Sequence, residues 1–121
     1  MSRAYLTIEK QIAAMKADWP RFVARSVNRS AQRAKWVGDV KPQFSRFTLE
    51  VRYTVGKFPE TRILNPELAR LPENLEGSLP HVYPPADDPQ LCLFDPDEGQ
   101  WSPAMLISRS ILPWAIDWIC C

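Results

Sequence analysis

The sequence predicts an α+β fold: an amino-terminal helix, an antiparallel meander of three to four strands, a cysteine-bearing loop and a carboxy-terminal helix. Three observations carry this. Apolar residues recur at steps of three and four near the start (Tyr5, Ile8, Ile12, Met15, Trp19), alternate with polar ones over residues 47–55, and return to helical spacing at Ile107, Ile111, Trp114 and Trp118. At 121 residues the chain has the length of one domain with a core of its own. The expected division is a helical part at 1–33, strands at 34–65, and the loop with its helix at 79–121.

The first helix follows from its stripe, which places one apolar face against a sheet. Pro20 disfavours helical geometry at Trp19 and ends or bends that helix. Arg21, Arg25 and Arg29 continue at steps of four, so a second helical segment is expected from about 21 to 33. Trp36 to Val40 is short and β-prone, and Pro42 closes it. Between Phe47 and Val55 the odd positions are apolar and the even ones polar, which predicts one buried and one wet face. Gly56-Lys57-Phe58-Pro59 supplies a turn, and Glu60 to Leu64 reads as the returning strand. Residues 66–79 read as a loop or short helical turn. Ser102 followed by Pro103 has the pattern of a helix start. Pro113 interrupts the run that follows, so the helix either kinks or restarts near Ser110.

Composition narrows the class. With 45% hydrophobic and 24% charged residues, this is a globular composition. No apolar run approaches membrane-spanning length, and the first residues lack a signal peptide's apolar centre, so a cytoplasmic protein is expected. Three cysteines, two of them the adjacent Cys120 and Cys121, do not make a disulfide framework; the terminal pair is expected at a frayed end. A single histidine far from any Cys-x-x-Cys argues against zinc, and neither metal nor cofactor is expected. The net charge of +1 hides an asymmetry, with ten Lys/Arg against three Asp/Glu in residues 1–46. A basic third invites a nucleic-acid reading, but its arginines are not interleaved with stacking aromatics. A solvated basic face or an acidic protein partner accounts for it better.

The chemistry-bearing stretch runs from Leu79 to Leu112. Cys92 stands between Leu91 and Leu93, ahead of a turn built from Asp95, Pro96, Asp97 and Gly99. A thiol in a short extended segment beside a polar loop can be rigid and still reachable, as a nucleophile must be. By default, a cysteine between leucines is a small buried hydrophobe. His81, the sole histidine, lies on the near side of the same loop. Its unperturbed pKa near 6.5 suits an acid–base role. Tyr83 reads as packing with its hydroxyl fixing the loop, and Trp101 as a core anchor. Asp95, Asp97 and Glu98 place negative charge after the thiol, which disfavours a thiolate. Asp87 and Asp88 add further negative charge in the loop before the thiol.

This order of parts resembles the ubiquitin-conjugating (E2) enzymes, in which a His-Pro-Asn tripeptide precedes a loop, a Cys-Leu catalytic motif and a Trp-Ser-Pro-Ala helix entry. Leu79-Pro80-His81 stands where the tripeptide would, Cys92-Leu93 matches the cysteine, and Gln100-Trp101-Ser102-Pro103-Ala104 matches the entry. A sharper resemblance is to stand-alone bacterial E2-like proteins of cyclic-oligonucleotide antiphage (CBASS) operons. It rests on Pro80-His81-Val82-Tyr83-Pro84, Leu91-Cys92-Leu93-Phe94, and Pro113-Trp114 with Trp118.

The resemblance implies an E2-like fold whose active-site loop carries Cys92 as thioester acceptor, supported by His81 as oxyanion donor or general base. An oxyanion donor typically lowers a barrier by about 2.7–4 kcal/mol. It further implies a protein cargo, the carboxyl terminus of a cyclic-oligonucleotide synthase, passed to an amine with or without an E1-like activator. Familiar E2 enzymes continue with two further helices, so the sheet or a partner is expected to cover what those would. Two rivals remain: an inactive E2-fold binding module, and a cysteine hydrolase using Cys92 and His81.

Overall fold

Helix α1 (Ile8–Asp18) starts where the extended Thr7 accepts a hydrogen bond on its hydroxyl from the Lys10 backbone N–H at 3.2 Å. That satisfies one donor the first turn leaves orphaned. It stops at Asp18, because Trp19, next to Pro20, leaves helical geometry. The computed structural model describes residues 5–42, 45–65, 82–83 and 90–120, with 82, 83 and 120 as backbone.

The buried face of α1 is Ile8, Gln11 and Met15, with Ile12 and Trp19 half-buried; Tyr5 lies outside the helix and is exposed. A polar residue therefore occupies the centre of the face. The Gln11 side chain donates to the Met105 carbonyl at 2.9 Å and accepts from the Ile107 N–H at 3.0 Å. The Trp19 indole donates to the Ser108 carbonyl at 2.7 Å. These bonds fasten α1 to the turns before the last helix. Gln11→Leu strands the Ile107 N–H and the Met105 carbonyl, and each buried orphan costs about 1–3 kcal/mol. A net loss of about 2–3 kcal/mol is expected in urea unfolding, with an unchanged m-value.

The helix expected at 21–33 is replaced by a strand. β1 (Val23–Asn28) pairs antiparallel with β2 (Arg33–Val40), and residues 29–32 make the turn. A step of four is a multiple of the strand period as well as close to the helical one, so the arginine series fits both. Val23, Ser26, Val27 and Asn28 are weak helix formers, and pairing with β2 decides the outcome. Ser26, at φ 53°, marks the register shift between Arg25 and Asn28.

β3 (Phe47–Thr54) and β4 (Glu60–Asn65) complete a four-stranded antiparallel sheet in the order β1-β2-β3-β4. On its core face Ala34, Trp36, Gly38 and Val40 oppose Tyr53, Val51, Leu49 and Phe47. Gly38 is required there, since a Cβ would lie 2.6 Å from the Phe22 ring. The outer face is less wet than alternation predicts. Glu50 is 6% exposed, held by Arg52 Nε at 2.7 Å and Lys35 Nζ at 3.9 Å.

Ser102 and Pro103 begin a turn, not the last helix: the Ser102 hydroxyl accepts from the Ala104 N–H at 3.3 Å, and its carbonyl from the Met105 N–H at 2.9 Å. A 3₁₀ turn follows at Ile107–Arg109, and α2 runs from Ile111 to Cys120. A single helix from 103 would put Pro113 in its interior, at a cost of about 3 kcal/mol. Starting at Ile111 puts it in the first turn, where no N–H is needed. Ile107, Ile111, Leu112 and Ala115 are fully buried in the core. Among the described residues no helix is long and apolar enough to cross a membrane.

Candidate active site

Two short strands bring the cysteine into position. β5 (Val82–Tyr83) pairs antiparallel with β6 (Gln90–Leu91), with Val82 opposite Leu91 and Tyr83 opposite Gln90. β6 lies against β4, and Leu91 is 3% exposed in the core. Cys92 follows as a free, half-buried thiol. Two residues on, the Phe94 ring is clamped among Phe58, Trp114 and Trp101, with centroids at 5.6, 6.2 and 6.3 Å. The thiol thus sits between two anchors, a buried leucine before it and an aromatic cluster after it. This local order limits its motion without enclosing it.

Trp101 is the base of that cluster. It is 3% exposed, meets Tyr53 edge-on at 5.5 Å, and donates its indole N–H to the Ser110 hydroxyl at 3.0 Å. Ser110 passes the bond on to the Leu106 carbonyl at 2.7 Å. The loop between Phe94 and Trp101 closes on itself. Asp95 accepts on Oδ1 from the Asp97 N–H at 2.9 Å and caps a 3₁₀ turn at Pro96–Glu98. Its own N–H donates to the Gln100 side chain at 2.8 Å. Gly99, at φ 66°, ends the turn in a conformation that glycine adopts without strain.

The sequence-derived candidates are thus placed unequally. Asp95 shapes the loop after the thiol, while Asp97 and Glu98 stand exposed on it. Tyr83 is located by its backbone in β5. His81, Asp87 and Asp88 lie outside the described residues. What the motif reading missed is a cavity of about 110 Å³ walled by Phe58, Pro59, Thr61, Gln90, Leu91, Leu93, Phe94 and Pro96, which takes in the residues on either side of Cys92 but not Cys92 itself. Its walls come from the β3–β4 turn, β4 and the cysteine segment, and no sequence spacing brings these together. The one available signal was the aromatic Phe58 in an otherwise polar turn.

Behind the cluster, burial pushes the Tyr53 phenol above its ordinary pKa; the Gly56 backbone opposes the shift, and Tyr5 adds to it. A raised phenol favours the neutral form in the fold. Its contribution is complete below the unfolded pKa near 10 and is lost as pH rises through the higher folded value. Unfolding free energy should therefore fall above about pH 10, and less steeply in Tyr53→Phe, as denaturant titrations between pH 8 and 11 would show.

A helix flanking an antiparallel meander, with a free cysteine presented between the sheet and a tryptophan-anchored turn, is the arrangement of an E2-like protein. The family model described as Type II CBASS E2 protein matches residues 11–121, and the chain belongs to that family. No curated protein matches it. Membership assigns an E2-like, conjugation-type role in CBASS antiviral defence, and it implies protein partners from the same operon.

Proposed function

We propose that the chain is a thioester-forming transferase with Cys92 as the acceptor. The observation that supports this is the placement of the half-buried thiol between buried Leu91 and the clamped Phe94. The Cys92 thiolate attacks the carbonyl of an activated carboxyl terminus, the activating group leaves with its electron pair, and a thioester forms. An amine then attacks that carbonyl, the thiolate departs, and the amine's proton passes to a base, leaving an amide. His81 is proposed to donate to the oxyanion or to take that proton. The cargo is proposed to be the carboxyl terminus of the operon's cyclic-oligonucleotide synthase, with activation by an E1-like protein or within the cargo complex.

The test uses a synthase-tail peptide thioester and intact-mass detection. The transferase reading expects one adduct on Cys92, released by a small thiol and converted to a thiol-resistant oxyester in Cys92→Ser. A binding module on the same fold would retain the peptide without an adduct, and that result replaces the transferase reading.

A further inference from the structure

A second cavity, of about 340 Å³, opens where the link from α1 to β1 meets the end of β2, with Ile116 of α2 on one side. Its volume falls in the range of about 300–1,000 Å³ typical of ligand pockets. It lies at the β1 edge of the sheet, whereas Cys92 follows β6, which packs against β4 at the other edge. An occupant here leaves the thiol uncovered.

The floor is apolar and firmly held. Trp19, Phe22, Val40 and Ile116 supply it. The Trp19 indole is fixed by its bond to the Ser108 carbonyl at 2.7 Å and meets Phe22 edge-on at 6.1 Å. Phe22 in turn backs onto Gly38. Pro20 and Pro42 stand on the walls, and each fixes its own φ. A pocket fastened in this way gives up little conformational freedom when it is filled.

The charges around that floor are unequally engaged. Asp18 accepts from the Ser108 hydroxyl at 2.7 Å and pairs with Arg109 at 3.4 Å. Asp39 accepts from the Thr48 hydroxyl at 2.7 Å and pairs with Arg46 at 3.7 Å. Both carboxylates are therefore occupied from within the fold. Arg21 and Lys41 also line the cavity and are exposed, and among the described residues neither makes an ion pair. The charge left on offer is positive.

We propose that this cavity docks a partner protein through one aromatic side chain flanked by acidic residues. The ring enters against Trp19 and Phe22, and the flanking carboxylates meet Arg21 and Lys41. Size allows it, since benzene fills a cavity of roughly 150 Å³ and the space here is about 340 Å³. An aromatic ring gains more than an aliphatic chain, because edge-to-face and offset contacts with two rings add to the area buried. Acidic flanks follow from the two unpaired cations, and opposite charge at an interface fixes the choice of partner.

The test is a nuclear magnetic resonance titration of the whole chain, read at the Trp19 indole N–H. The probe is the acetylated, amidated peptide Glu-Glu-Phe-Glu-Glu, compared with Lys-Lys-Phe-Lys-Lys and Glu-Glu-Ala-Glu-Glu. The first should shift the signal saturably and bind at least about tenfold tighter than the alanine peptide. It should also bind at least about fivefold tighter than the lysine peptide. In the double variant Arg21→Glu with Lys41→Glu, the order of the acidic and basic phenylalanine peptides should reverse. Both replaced side chains are exposed, so Tm should stay within about 4 °C of wild type. Equal binding of the three peptides, a wild-type preference for lysine, or an unaltered order in the folded double variant overturns the proposal. So does an oligouridylate that shifts the indole where the acidic phenylalanine peptide does not. Adduct formation at Cys92 plays no part in these readouts, so the transferase reading stands or falls separately.

Discussion

Replacing Cys92 with alanine is expected to lower conjugate formation by at least about a thousandfold, since removal of a nucleophile takes the covalent route with it. The fold should tolerate the change. Cys92 is half-buried, and the anchoring contacts belong to Leu91 and Phe94, so the stability cost should stay within about 1 kcal/mol. Loss of activity with retained stability separates a reacting thiol from a packing one. The measurement is the yield of synthase conjugates, resolved by mass, in cells expressing the operon with wild-type or variant protein. Undiminished conjugates in the alanine variant would end the transferase reading.

The second large effect is structural. Trp101→Ala removes an almost fully buried indole, for which truncation costs about 3–5 kcal/mol. It also takes the donor from Ser110 and one ring each from Tyr53 and Phe94. Against a typical domain stability of about 5–15 kcal/mol, that is about a fifth or more of the total. Trp101→Phe keeps one six-membered ring but loses the pyrrole part with its N–H, so about 2–3 kcal/mol is expected. Loosening Phe94 frees the segment that carries the thiol, so Cys92 should be alkylated faster in Trp101→Ala than in wild type. If urea unfolding finds less than about 1 kcal/mol for the alanine variant, the cluster does not anchor the site.

Some of this was readable from residue order. The stripe through Ile8, Ile12 and Met15 specified a helix with one buried face, and Pro20 specified its end, because period and proline geometry are local properties. The alternation over 47–55 likewise specified the central strand. Segment 21–33 failed because the arginine step suits two periods, and the choice fell to pairing with β2. Gln11 was illegible for another reason. Its partners lie 94 and 96 residues away, and no local rule marks a glutamine as buried when its satisfaction comes from so far along the chain. Glu50 is the same case across strands, hidden because Arg52 and Lys35 converge on it.

For the site, the sequence by itself determined the chemistry on offer: one thiol between leucines, a polar turn after it, and the tryptophan entry that marks an E2-like order of parts. Those are properties of neighbours in the chain. Only the tertiary structure decided that Phe58 and Trp114 close on Phe94, and that Leu91 and Leu93 on either side of the cysteine wall a cavity with the β3–β4 turn. Packing density and hydrogen-bond satisfaction are set by residues far apart in sequence, and they exist only once the sheet has assembled.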